Sequence, residues 1–231
     1  AVFGALDPIG GGARARPGID AGGEGAGGEL GAVQAEGVDE DGVAGAVLGP
    51  IDASVVNVVL PTLAKGFSAS LAAVQWVPMA YLLASGSLVL AFGRFGDLRG
   101  HRKVFLAGQL GFVAASALCA VAPTIEALVA FRALQGIAAA SMMSVPLAIL
   151  TATFPPAVRG RALGLFAASI SVGLAVGPTF GGFLAATLGW RAVFLVNLPL
   201  GLLAWAVGRR VLPELPVRPG RLDLPGAAAA L

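Results

Sequence analysis

From about residue 42 onward the chain runs as long apolar stretches broken by short polar or Gly/Pro punctuation. An α-helix crosses the hydrocarbon of a bilayer with about 20 predominantly apolar residues, each advancing about 1.5 Å. That length, moved along the sequence, predicts six membrane-spanning helices at 42–63, 71–93, 104–122, 125–150, 161–186 and 191–208. The first is the least apolar, because Gly45, Gly49, Pro50 and Asp52 fall inside it, and the count becomes five if it does not insert. The fourth holds Arg132 with apolar residues on both sides. The fold class expected is therefore an all-α membrane protein whose bundle occupies 42–208.

Residues 1–41 carry neither a helical nor a strand period, and fifteen of the first fifty residues are glycine. With almost no aromatic mass to bury, such a segment cannot offset the entropy of ordering itself, so it reads as a disordered tail. It lacks the basic start and apolar centre of a signal peptide. A mis-set start codon or a frameshift in a GC-rich gene produces a similar Gly/Ala/Arg-rich string, and a regulatory tail is the remaining account. At the other end, 209–231 reads as a linker leading into the beginning of a seventh helix.

Composition reinforces the membrane reading. The chain is 57% hydrophobic and 12% charged, with a mean hydropathy of +0.85, whereas soluble domains carry about 25% charged residues. One cysteine, Cys119, leaves no disulfide framework, and one histidine, His101, leaves no multi-histidine metal cluster. The net charge of +2 conceals two halves: residues 1–50 hold two arginines against eight acids, and 51–231 hold thirteen Lys/Arg against five acids. Ten cations (Arg94, Arg99, Arg102, Lys103, Arg159, Arg161, Arg209, Arg210, Arg218, Arg221) flank one set of span ends, against Lys65 and Arg191 at the other. The positive-inside rule then puts both ends of the six-helix unit in the cytoplasm. Trp76 and Trp190 fall at the outer ends of spans two and six, where amphipathic rings prefer to sit.

A charge at the middle of a membrane costs at least about 2.5–3.5 kcal/mol, which singles out a few residues. Asp52 lies about 15 Å into span one at helical rise, with Asn57 following. A carboxylate taken out of water can load and release a proton; bracing a helix interrupted at Pro50 is the bland alternative. Arg132 enters span four with Gln135 and Gly136 on the same face. Its guanidinium stays charged, so it faces a wet cavity, pairs with a buried acid, or snorkels to the outer interface. In span five, Gly173, Gly177 and Gly181 form one smooth stripe beside Pro178 and Gly182. Small residues at that spacing admit a neighbouring backbone, and the proline kinks the span. The segment 93–103 predicts a loop of about ten residues in which Gly96 and Gly100 permit a tight turn and Asp97 sits among four cations.

In this order the segments resemble the major facilitator superfamily, and within it the fourteen-helix branch of drug:proton antiporters. Four motifs carry the likeness. Ile51-Asp52-Ala53-Ser54 through Pro61 is similar to that branch's first-helix signature. Gly93, Asp97, Arg99, Gly100, Arg102 and Lys103 resemble the signature loop between helices two and three, with Leu98 where an arginine is usual. Arg132-x-x-Gln135-Gly136 resembles the helix-four motif implicated in proton coupling, and Gly173 to Gly182 resembles the helix-five antiporter motif. Gln75-Trp76 through Tyr81, and Trp190-Arg191 through Asn197-x-Pro199-x-Gly201, also fit.

The resemblance implies the N-terminal half of a proton-coupled transporter that exports amphiphilic or cationic drugs from the inner membrane by alternating access. It assigns proton coupling to Asp52 and Arg132, the substrate cavity to Asn57, Gln75 and Gln135, and closure to the helix-five stripe. Asp97 with Arg99, Arg102 and Lys103 would lock the cytoplasmic side to the other half. The partners implied are the bilayer, a small drug-like molecule, protons and a C-terminal half; no enzyme activity, cofactor, metal or nucleic acid is expected. Two other readings stand beside it: a truncated, non-transporting membrane fragment or assembly partner, and a solute importer or facilitator of the same fold.

Overall fold

A computed structural model describes residues 40–153 and 155–212. The expectations for residues 1–39 of the tail and for 213–231 of the linker lie outside them. Helix α1 spans Glu40–Phe67, α2 Leu71–Arg99, α3 His101–Ala120, α4 Ile125–Thr153, α5 Pro156–Leu188, α6 Trp190–Leu195 and α7 Asn197–Val211. Among the described residues, five rods are long and apolar enough to cross a membrane: α2, α3, α4, α5, and α6 with α7 taken together as Trp190–Val211. The first helix carries two internal prolines, with Asp52 and Asn57 among its Val and Leu residues. It nevertheless forms a 28-residue helix within the bundle. The sixth rod divides at Val196, whose φ of −62° and ψ of −27° are still helical. Pro199 explains the division, since it has no N–H to bond the carbonyl of Leu195.

Start and stop signals are local and visible. The Ser70 hydroxyl accepts a hydrogen bond from the Ala73 N–H at 3.3 Å and caps α2. Thr124 does the same for the Ala127 N–H at 3.2 Å, at the head of α4. Pro156 occupies the first turn of α5, where a missing N–H costs nothing. Prolines 50, 61, 78, 146 and 178 lie inside long helices without ending them; α5 runs unbroken through Pro178.

The expected ten-residue loop between spans two and three does not exist. Helix α2 continues to Arg99 and α3 starts at His101, leaving Gly100 alone as connector. Its φ of +94° is left-handed territory open to glycine, and its N–H closes on the Gly96 carbonyl at 2.9 Å. Gly96 is not a turn residue: it is buried, and a Cβ there would stand 2.9 Å from the His101 ring.

Packing is dominated by α2 against α4, α1 against α5 and α3 against α4. Two apolar clusters result. One holds Val55, Val56, Val59, Leu63, Val74, Leu128, Leu184, Trp190 and Phe194. The other, nearer the arginine-rich end, holds Leu48, Val104, Phe105, Phe112, Met142, Val145 and Ala204. Trp190, the first residue of α6, belongs to the first cluster. It is buried, 5.2 Å from the Phe67 ring and edge-on to Phe194 at 6.2 Å. Trp76, by contrast, is exposed on α2.

Candidate functional site

The two apolar clusters leave a polar layer between them. On α1, Asp52 sits between Leu48 and Val55; on α3, Ser116 sits between Phe112 and Cys119; on α4, Arg132 and Gln135 sit between Leu128 and Ala139. All four are buried, and so is Asn197 on α7. The Arg132 guanidinium donates through Nη1 to Asp52 Oδ2, with both side chains fully shielded, and to Gln135 Oε1 at 2.6 Å. Its Nε donates to the Val77 carbonyl at 3.4 Å. The other carboxylate oxygen, Asp52 Oδ1, accepts from Asn197 Nδ2 at 2.6 Å and from Gln135 Nε2 at 3.3 Å. Ser116 Oγ accepts from Gln135 Nε2 at 2.6 Å and from Asn197 Nδ2 at 3.4 Å.

Asp52 is thus ringed by N–H donors from α4 and α7 and meets no acceptor among these bonds, an arrangement suited to an ionised, acceptor-only carboxylate. A protonated Asp52 would have to donate, so protonation requires the ring of amides to rearrange. The arginine is held from its faces as well. Its guanidinium carbon lies 4.3 Å from the centre of the Tyr81 ring and 5.8 Å from that of Phe194, a favourable seat for a desolvated cation. Tyr81 donates to the Gly49 carbonyl at 3.2 Å and so ties α2 to α1. Gly136 permits this seat: a Cβ there would lie 2.4 Å from the Tyr81 carbonyl oxygen, so only a glycine lets α2 come so close to α4 one turn beyond Arg132.

On the other side of α1 lies the helix-five stripe. Gly173, Gly177 and Gly181 are buried. A Cβ on Gly177 would fall 1.8 Å from Ser54 Oγ and 3.2 Å from the Ile51 carbonyl oxygen; on Gly181 it would fall 2.4 Å from Val55 Cγ1 and 3.1 Å from Val55 Cα. Gly182 makes ordinary contact with Val58 at 3.6 Å. Pro178 faces outward.

At the basic end, Asp97 has neighbours from both α2 and α3. It lies 3.6 Å from Arg94 and 3.6 Å from His101 Nε2. Arg99 stacks on Phe95 at 5.4 Å, Arg102 donates to the Arg209 carbonyl of α7, and Lys103 is exposed. Arg94 lies one turn before Asp97 on α2, and the turn at Gly100 brings His101, the first residue of α3, to its other side.

The structure therefore brings Asp52, Arg132 and Gln135 into one network. Gln135 is fully buried there and lines no open cavity. Asn57 and Gln75 stand apart from it on exposed faces of α1 and α2, with Asn57 bonding its own helix at the Ala53 carbonyl. Sequence reasoning missed Asn197, Ser116 and Tyr81 as site residues. Asn197 carried a readable signal, a primary amide inside an apolar span; Tyr81 is the chain's one tyrosine. Ser116 had none, since serines are scattered through these helices.

Six packed rods, at least five of them long and apolar enough to cross a bilayer among the described residues, around a buried acid–arginine network define a multi-pass α-helical membrane protein. The chain belongs to the Major Facilitator Superfamily, whose family model matches residues 43–228. It is 37% identical over 170 residues to the tetracenomycin C resistance and export protein of Streptomyces glaucescens, covering 74% of this chain and 32% of that protein. It is 31% identical over 184 residues to the riboflavin transporter RibZ of Clostridioides difficile, covering 79% and 40% respectively. The chain thus spans less than half the length of these relatives. Among solved structures, a bacterial homologue of the human lysosomal transporter Spinster, captured inward-facing, superposes with a TM-score of 0.68 at 21% identity, covering 83% of this chain and 46% of that one. The family and these relatives are transporters rather than enzymes.

Proposed function

We propose that this chain is the N-terminal bundle of a proton-coupled exporter of amphiphilic or cationic drug-like molecules, working by alternating access against a second bundle. The observation that carries the reading is the Asp52 carboxylate, sealed inside the bundle and held by Arg132, Gln135 and Asn197. A group of this kind is costly in a membrane protein and is retained where it moves charge. Proton arrival at Asp52 converts it from acceptor to donor, releases Arg132, and so couples protonation to the packing of α1, α4 and α7. The exposed Asn57 and Gln75 would then line the cavity shared with the second bundle, and the basic end, with Asp97, would face the cytoplasm of the inner membrane. Export rather than import is favoured by the relative named for resistance and export. The riboflavin-named relative supports the second reading, a solute importer or facilitator on the same scaffold.

Everted vesicles from cells expressing the protein at its full length test this. Exporter function requires ethidium uptake that collapses with a protonophore and is lost in Asp52→Asn at equal folded protein. Gradient-driven uptake that survives Asp52→Asn removes Asp52 from the coupling role; transport indifferent to the protonophore favours the facilitator. The same assay on residues 1–231 alone answers the fragment reading, which predicts insertion without uptake.

A further inference from the structure

The buried polar groups of α3 are not all accounted for by the Asp52 network. Gln109 is 0% exposed, and neither its amide nitrogen nor its oxygen finds a hydrogen-bond partner among the described residues. The buried serines 54, 85, 141 and 144 bond carbonyls of their own helices, and Ser116 bonds Gln135. An orphaned buried amide carries its full desolvation penalty, so a leucine or methionine would serve packing better at this position.

The place of Gln109 gives the amide a use. Ser116 lies seven residues above it on the same face of α3, about 10 Å along the axis. Eight residues below it, about 12 Å on, is His101. This ring is buried, neither nitrogen makes a hydrogen bond, and Nε2 stands 3.6 Å from the half-exposed Asp97, which also meets Arg94. Between these polar stations stand two buried rings, Phe112 one turn above Gln109 and Phe105 one turn below. Asp52 itself is shielded from solvent, so a proton it takes up or gives away needs a way through the bundle.

We propose that the inward face of α3 is the proton's route between Asp52 and the basic end, with Gln109 holding water midway and Phe112 and Phe105 as apolar barriers on either side. The inference rests on the proton-coupling reading above and adds its path. Each transfer moves one proton from a carboxyl or hydronium to the next water, and no other bond changes. Gln109 serves the water at both ends, its carbonyl accepting and its amide donating. The rings interrupt the column at rest on either side of that water, as apolar constrictions do by dewetting, and so prevent a standing leak.

Proteoliposomes containing the full-length protein and a trapped pH dye test the route without any substrate. Under an imposed pH gradient with potassium and valinomycin, Phe112→Ala should raise proton flux about tenfold over the parent. Adding Gln109→Leu, or Gln109→Met as a second apolar substitute, should return it to within about twofold of the parent. Adding Asp52→Asn to Phe112→Ala should do the same. Unchanged flux in Phe112→Ala, or a leak that both Gln109 substitutions leave standing, overturns the route. Ethidium transport measured alongside separates the two claims: gradient-driven uptake in the parent keeps the coupling reading when the route fails, and its absence overturns the coupling itself.

Discussion

Replacing Asp52 by asparagine removes one charge and almost no volume, yet the geometry makes it a severe change. Asp52 Oδ2 accepts from Arg132, while Oδ1 accepts from Asn197 at 2.6 Å and from Gln135 at 3.3 Å. An asparagine side chain has one oxygen to offer. If that oxygen keeps the Oδ1 place, its NH2 points at the guanidinium; if it takes the Oδ2 place, its NH2 meets two amide donors. Gln135 cannot relieve the second case by turning over, because its Oε1 already receives Arg132 at 2.6 Å. One donor–donor contact therefore survives in either orientation, beside a guanidinium with no exposure. Breaking a buried pair from one side costs about 3–5 kcal/mol. At about 2–4 °C per kcal/mol for a chain of this size, the melting temperature in detergent should fall by roughly 10 °C. Asp52→Asn with Arg132→Gln removes both charges and replaces them with amides that can pair. It should melt at least about 2 kcal/mol above the sum of the two single losses. Intrinsic fluorescence reports the transition, since Trp190 is packed in the core. Asp52→Asn melting within about 2 °C of the parent, or a double variant no better than additive, would refute the claim that this pair is tightly coupled.

Two further outcomes follow from distances. Gly181→Ala puts a Cβ 3.1 Å from Val55 Cα, which only a backbone shift relieves, and should cost about 1–3 kcal/mol. Gly164→Ala on the same helix meets nothing within 4 Å and should be neutral or stabilising by up to about 1 kcal/mol; equal melting temperatures for the two variants would sink the close-packing argument. Arg132→Lys keeps the positive charge but gives up the bond to the Val77 carbonyl and the planar seat 4.3 Å over Tyr81. Its protein level should hold while gradient-driven ethidium transport falls about tenfold, and normal turnover would mean the position asks only for a cation.

What could be read before any coordinates were seen is what a single helix encodes. Apolar length, and Gly100 as a turn residue, are properties of a few adjacent residues. An acid partner for Arg132 was one of the readings open to it, because its charge has to be satisfied somewhere. Rotation of one rod against another was not legible. In helices apolar nearly all round, composition does not say which face meets protein and which meets lipid or a second bundle. Hence Gln135 was assigned to the substrate cavity, although here it is fully buried against Ser116. Reading 93–103 as a loop likewise hides that α2 runs on to Arg99 and that Gly100 alone connects it to α3.

The glycine stripe and the ion pair were read as separate features, and the geometry of α1 joins them. Ile51, Ser54, Val55 and Val58 are the residues that meet Gly177, Gly181 and Gly182. They form one stripe along α1. Asp52, Val56, Val59 and Leu63 form a second stripe, about 100° round the helix, and all four are buried. Because α5 offers no side chains at Gly177 and Gly181, α1 lies against it backbone to backbone, and that contact leaves little freedom in how α1 is turned about its own axis. The turn it imposes aims Asp52 towards α4 and α7, where Arg132 and Asn197 wait. Space on one side of α1 is therefore a condition for charge pairing on the other. A side chain added to the stripe therefore acts on the carboxylate without touching it, and in the proton-coupled reading proposed above, protonation of Asp52 would free α1 to turn against the glycine face of α5.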